Sequence, residues 1–184
     1  MPDWSKEALV NRGYSQTILP PGNWLGIEGV WTESFDDVAN LIRVRKTAAA
    51  NADDRILLCA PMEGRSRAGV ASASAGLRLA SVELNYQLTV EVADDVTVTV
   101  LRYNTPANTV AATSTALVGT YAAAHDTAGE RGAIASHSLV FNITTPDYFD
   151  ADEALMVLVT VNDVTGGNAV FDLRSLVLHW NAGA

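Results

Sequence analysis

Cysteine is nearly absent: Cys59 is the single one among 184 residues. An intrachain disulfide is therefore excluded, and the apolar run Ile56-Leu57-Leu58-Cys59-Ala60 predicts a buried thiol acting as a small hydrophobe. Long hydrophobic runs are missing too, so no window approaches the length of a membrane span. The N-terminus, Met-Pro-Asp-Trp-Ser-Lys-Glu, lacks the basic and apolar regions of a signal peptide, and the expectation is synthesis in a reducing cytoplasm with no membrane partner. Positive charge is scarce in one half only. Residues 1–78 carry 9 basic and 9 acidic side chains, which leaves 12 − 9 = 3 basic (Arg102, Arg131, Arg174) against 21 − 9 = 12 acidic for residues 79–184. A surface of that sign repels phosphate backbones, so nucleic acid is not an expected partner.

What the chain has in quantity is alternation. From Val82 to Val92 every even position is apolar (Val82, Leu84, Tyr86, Leu88, Val90, Val92), and the odd positions are mostly polar. That is the period of a half-buried β-strand. After Ala93-Asp94-Asp95 the rhythm returns in Val96, Val98 and Val100, and the two runs predict an antiparallel hairpin over 77–103. Further strands are predicted over 41–46, 55–62, 109–120, 136–144, 155–161 and 170–180, with the last one closing the sheet. The run Leu155-Met-Val-Leu-Val-Thr-Val161 is apolar on both faces, as a central strand covered on both sides would be. Residues 63–76 and 122–132 read as loops. About eight short strands with turn chemistry between them predict an all-β chain: an antiparallel β-sandwich of jelly-roll type.

Residues 1–40 differ in character and are assigned as an irregular N-terminal arm, with residues 41–184 as the sandwich domain. Trp4, Tyr14, Trp24 and Trp31 lie there among Pro20-Pro21-Gly22, Gly26 and Gly29. Either the arm straps over its own domain, or its aromatic residues anchor it on another protein; these four are the candidate protein-interaction residues.

Constellations that carry chemistry are sparse. Gly64-Arg-Ser-Arg-Ala68 falls short of a nucleophile elbow, and Gly22-Asn-Trp-Leu-Gly26-Ile-Glu-Gly29 has the wrong spacing for a dinucleotide loop. His125, His137 and His179 show no metal-ligand spacing. Asp147, Asp150, Asp152 and Glu153 form an acidic corner that a hard cation would fit, though a solvated turn explains them better. Asn142-Ile-Thr144 is a glycosylation sequon inside a predicted strand. No catalytic residue, cofactor or metal is expected, and the chain is read as a non-enzyme.

The succession Leu41-Ile-Arg-Val-Arg, Asp54-Arg-Ile-Leu-Leu, Gly76-Leu-Arg-Leu-Ala-Ser-Val-Glu-Leu-Asn-Tyr, Tyr148-Phe-Asp-Ala-Asp-Glu-Ala-Leu-Met-Val-Leu-Val and Val170-Phe-Asp-Leu-Arg-Ser-Leu-Val-Leu-His-Trp resembles the jelly-roll auxiliary proteins of tailed bacteriophage virions, the decoration or cement proteins. The resemblance covers residues 41–180 and carries no diagnostic motif. It implies a virion structural protein, made in the host cytoplasm, that stabilises the head as a homotrimer bound to the major capsid protein or other virion proteins. The alternative is a tail or head-fibre component, or a carbohydrate- or receptor-binding β-sandwich.

Overall fold

The computed structural model describes residues 14–19, 24–36, 41–46, 53–60, 77–104, 112–147, 149, 153–164 and 168–182. Among them are twelve strands: β1 (Tyr14–Leu19), β2 (Trp24–Glu28), β3 (Trp31–Asp36), β4 (Leu41–Lys46), β5 (Asp54–Ala60), β6 (Leu77–Thr89), β7 (Asp95–Asn104), β8 (Thr113–Ala116), β9 (Gly119–Tyr121), β10 (Ser136–Asp147), β11 (Glu153–Asn162) and β12 (Val170–Ala182). They form two antiparallel sheets. The seven-stranded sheet runs β3-β4-β12-β6-β10-β9 with β1 also on β12; the five-stranded sheet runs β2-β5-β11-β7-β8. The fold is an antiparallel β-sandwich of jelly-roll type.

The inward side chains follow the alternation. Val82, Leu84, Tyr86 and Leu88 of β6 face Val96, Val98 and Val100 of β7 and Val157, Val159 and Val161 of β11 in one buried core. Two phase slips in the sequence become bulges. On β12 the buried set moves from Phe171 and Leu173 to Leu176, Leu178 and Trp180, and the register against β6 shifts between Leu173 and Ser175. One inserted residue flips every later side chain, so the bulge at Arg174 keeps both halves of β12 facing inward. A second shift, at His179/Trp180, does the same for Leu79 against Val82 on β6.

Several expectations are corrected. The hairpin over 77–103 does not exist: β6 belongs to the larger sheet and β7 to the smaller, so the two strands face each other across the core. The regular strand ends at Thr89, and Val90 and Val92 are exposed. Val90 takes φ 75° while the Glu91 N–H donates to the Thr89 carbonyl at 3.0 Å, a γ-turn of the rare positive-φ form that throws the chain toward the other sheet. β12 lies inside its sheet between β6 and β4/β1 rather than closing it. Within the predicted strand over 109–120, the described residues 112–120 carry two short strands in different sheets, β8 and β9. Cys59 is exposed, because its parity on β5 points it outward. Within the segment expected to be irregular, β1, β2 and β3 are strands of the two sheets, since their backbone groups pair with β12, β5 and β4.

The region read as a loop over 122–132 is built, too. It holds a 3-10 turn (Ala123–His125) and the short helix α1 (Ala128–Arg131), whose start is a capping box between Thr127 and Glu130. Arg131 is buried there. It forms a bidentate pair with Asp95 at 2.8 and 2.9 Å, donates to the carbonyls of His125 and Asp126, and lies over the Tyr121 ring at 4.4 Å.

Candidate functional site

The turn Gly29–Val30 carries the chain from β2, an edge strand of the smaller sheet, to β3, an edge strand of the larger one. The sandwich is therefore open along this side, and the inward-facing residues of the two edges meet in a cleft of about 280 Å³. Trp24 and Gly26 of β2, Trp31 and Glu33 of β3, Val44 of β4 and Ile56 of β5 line it. A β-carbon at Gly26 would stand 3.1 Å from Trp31 Cδ1, so a side chain there would press on the indole. Gly29 has φ 86°, and a side chain there would collide with the Asp54 carboxylate.

Trp31 is held rigidly. Its indole N–H donates to the Glu28 carbonyl at 2.7 Å, and its ring meets Phe171 edge-on at 6.0 Å. The Trp24 indole nitrogen is buried with no hydrogen-bond partner among the described residues, which is unusual for a native donor. Beyond Glu33, on the same face of β3, the exposed pair Phe35 and Ile42 are opposite one another in register. Two indoles and a carboxylate thus line the cleft, with a phenyl ring further along the same face of β3.

The outward face of the larger sheet is polar, but its groups satisfy each other. Arg45 pairs with Asp172 at 2.6 and 2.8 Å, Asn85 donates to Ser175 at 3.2 Å, and Glu83 accepts from Ser138 at 2.7 Å and meets His179 at 3.0 Å. Burial alone would push the Glu83 carboxyl up; the hydrogen bonds from Ser138, His179 and Asn85 together outweigh it and hold the group below the usual range.

Of the four expected interaction residues, Trp24 and Trp31 come together in the cleft. Tyr14 lies in β1, paired with Asn181. Trp4 lies outside the described residues, as do Ser66, Asp150 and Asp152. Asp147 ends β10, and Glu153 is not part of a solvated corner: it is buried, 3.7 Å from Arg102. Asn142 of the sequon is exposed on β10. The histidines are not all apart. His137 Nδ1 lies 3.3 Å from His125 Nε2, and His137 also stacks on Tyr86. Among the described residues no three His, Cys, Asp or Glu side chains gather as a metal site. No helix among them is long and apolar enough to cross a membrane.

The chain matches no protein-family model and no curated protein. Similar solved structures include the low-affinity xylan-binding module CBM86 from Roseburia intestinalis, with TM-score 0.45, 12% identity, 91% of this chain and 97% of that one covered. Another is a family 29 carbohydrate-binding module solved with cellulohexaose, with TM-score 0.45, 10% identity and coverage of 91% and 92%. A third is the family 11 carbohydrate-binding module of a Clostridium thermocellum cellulase, with TM-score 0.39, 7% identity and coverage of 94% and 88%. These are likenesses of fold alone.

Proposed function

We propose that the chain is a non-catalytic binding module that takes a saccharide in the β2–β3 cleft. The observation that carries this reading is the pair Trp24 and Trp31 set beside Glu33 in an open groove between two rigid sheets. Small-molecule sites are concave, with a few polar groups that fix orientation; this cleft is concave and its exposed lining is largely polar, which suits a hydroxyl-rich ligand. An indole offers a flat apolar face for the C–H side of a sugar ring. Glu33 supplies an acceptor for its hydroxyls.

A glycan array followed by affinity electrophoresis in soluble polysaccharides tests the reading. Binding is expected, and Trp24→Ala should weaken it roughly tenfold or more, the loss of about 1.4 kcal/mol. Absence of binding to every glycan would sink the proposal.

A second reading follows from a different surface. The outward face of the smaller sheet keeps apolar side chains in register: Leu25, Leu57 and Leu158 form one row, and Cys59, Met156 and Leu101 another. Leu25 is 64% exposed. Such a row fits contact with protein, and under this reading the chain is a virion structural protein, a homotrimer bound to the major capsid protein through this face and the N-terminal aromatic residues. Light scattering and co-sedimentation with capsids test it; a monomer that does not sediment with capsids would count against it.

A further inference from the structure

Three charged side chains are buried together at the end of the sandwich where the β2–β3 turn crosses over. Lys46, the last residue of β4, is 0% exposed; Asp163, just after β11, is 1%; Asp54, the first residue of β5, is 4%. Lys46 Nζ lies 3.1 Å from Asp163 Oδ2 and 3.1 Å from Asp54 Oδ2, and it donates to the Ala169 carbonyl at 3.4 Å. Asp163 Oδ2 also accepts the Ala169 N–H at 2.9 Å. In the strand register Trp31 and Phe171 flank Lys46 on either side, so two aromatic residues help wall the cluster off from water.

As ordinary ions these groups sit badly. One ammonium faces two carboxylates in a dry interior, and a buried charge without full compensation is expensive. Burial pushes the Asp54 carboxyl up despite the hydrogen bond and charge of Lys46, and Asp163 adds to the rise. Asp54 Oδ2, 3.1 Å from Lys46 Nζ, is within reach to receive a proton from the neighbouring ammonium.

We propose that Lys46 Nζ and the Asp163 side-chain carboxyl condense into an intramolecular isopeptide bond, with Asp54 as the group that moves the protons. Asp54 takes a proton from the Lys46 ammonium and passes it to Asp163 Oδ1, and the free amine attacks Cγ of the resulting neutral acid. Negative charge gathers on Oδ2, where the Ala169 N–H already points. The N–Cγ bond forms and the other carboxyl oxygen departs. Two protons from the ammonium end on that oxygen, the second also passing through Asp54, so the products are one amide and one water. Charges of plus one and minus one become none, with no oxidant or co-reactant. The bond ties β4 of the larger sheet to the end of β11 in the smaller, and encloses everything between. It is a covalent staple independent of redox state, in a chain whose single cysteine cannot supply one.

The test is the intact mass of the purified full chain under denaturing conditions. The expected result is a mass lower by one water than the encoded chain, with tandem mass spectrometry of a digest locating a linked peptide pair that joins Lys46 to Asp163. Lys46→Arg and Asp54→Asn should each restore the full mass, and the wild-type chain should run faster than both on a denaturing gel. A wild-type chain of full mass overturns the proposal. So does a water deficit that persists in Lys46→Arg, which would place the loss elsewhere, as in a cyclised aspartate.

Discussion

His125 and His137 share one hydrogen bond, and both rings cannot carry a proton on the nitrogens that face each other. His137 Nε2 lies 2.8 Å from the Ala133 carbonyl, which fixes its proton there and leaves Nδ1 to accept from His125. Burial, then the neighbouring His137, push the His125 ring below its ordinary 6.5. A base whose folded pKa is depressed binds fewer protons than the unfolded chain, so stability falls as pH drops below 6.5. Thermal unfolding between neutral and mildly acidic pH should show that loss, and His125→Gln should flatten the slope. An unchanged slope would assign the pH dependence to other groups. Arg131 is the other residue on which this end of the molecule depends. Arg131→Ala leaves Asp95 without its bidentate partner and removes the cation from Tyr121, a change expected to cost about 3 kcal/mol or more in denaturant titration.

The crossing between β6 and β7 is a strained element. Val90 is β-branched at φ 75°, where only glycine sits without penalty, and its side chain is 72% exposed and packs on little. Val90→Gly therefore relieves the backbone without opening a cavity. The expected gain is about 1 kcal/mol, read as a higher Tm. The same element shows why alternation misleads. Val82 to Val92 keeps its period through the last two residues, yet the strand stops at Thr89, because alternation reports which side of a strand is apolar and not where its hydrogen-bonded neighbour ends. Likewise Ala93-Asp94-Asp95 reads as a hairpin turn, but Ala93 donates to the Gly132 carbonyl and Asp94 to the Asn162 carbonyl, so those residues tie the crossing to other elements. The capping box Thr127-x-x-Glu130 was present in the sequence as a helix signal, and only its shortness hid it.

For the molecule as a whole, the two sheets offer surfaces of different character. The larger sheet turns a network of mutually bonded polar groups outward, and the smaller one turns rows of aliphatic side chains outward. If the second reading of function holds, Leu158→Glu in the middle of those rows should dissociate the oligomer while leaving the far-ultraviolet spectrum unchanged, because Leu158 points away from the core. If the saccharide reading holds, the same variant should bind glycans as the wild type does. Analytical ultracentrifugation and the array together separate the two.

Alternation and composition were enough to establish an all-β sandwich, the burial of Tyr86 and the central place of β11 in its sheet, though its outward face is only half-buried; these depend on side-chain parity within one short stretch. The pairing of β6 with β10 and β12 instead of β7, the cleft that joins Trp24 to Trp31, the contact of His125 with His137 and the burial of Lys46 between Asp54 and Asp163 were not legible there. Each depends on which distant strands become neighbours. That choice is settled by how all the apolar faces close on one another at once, and loop length alone biases it by well under 1 kcal/mol per doubling.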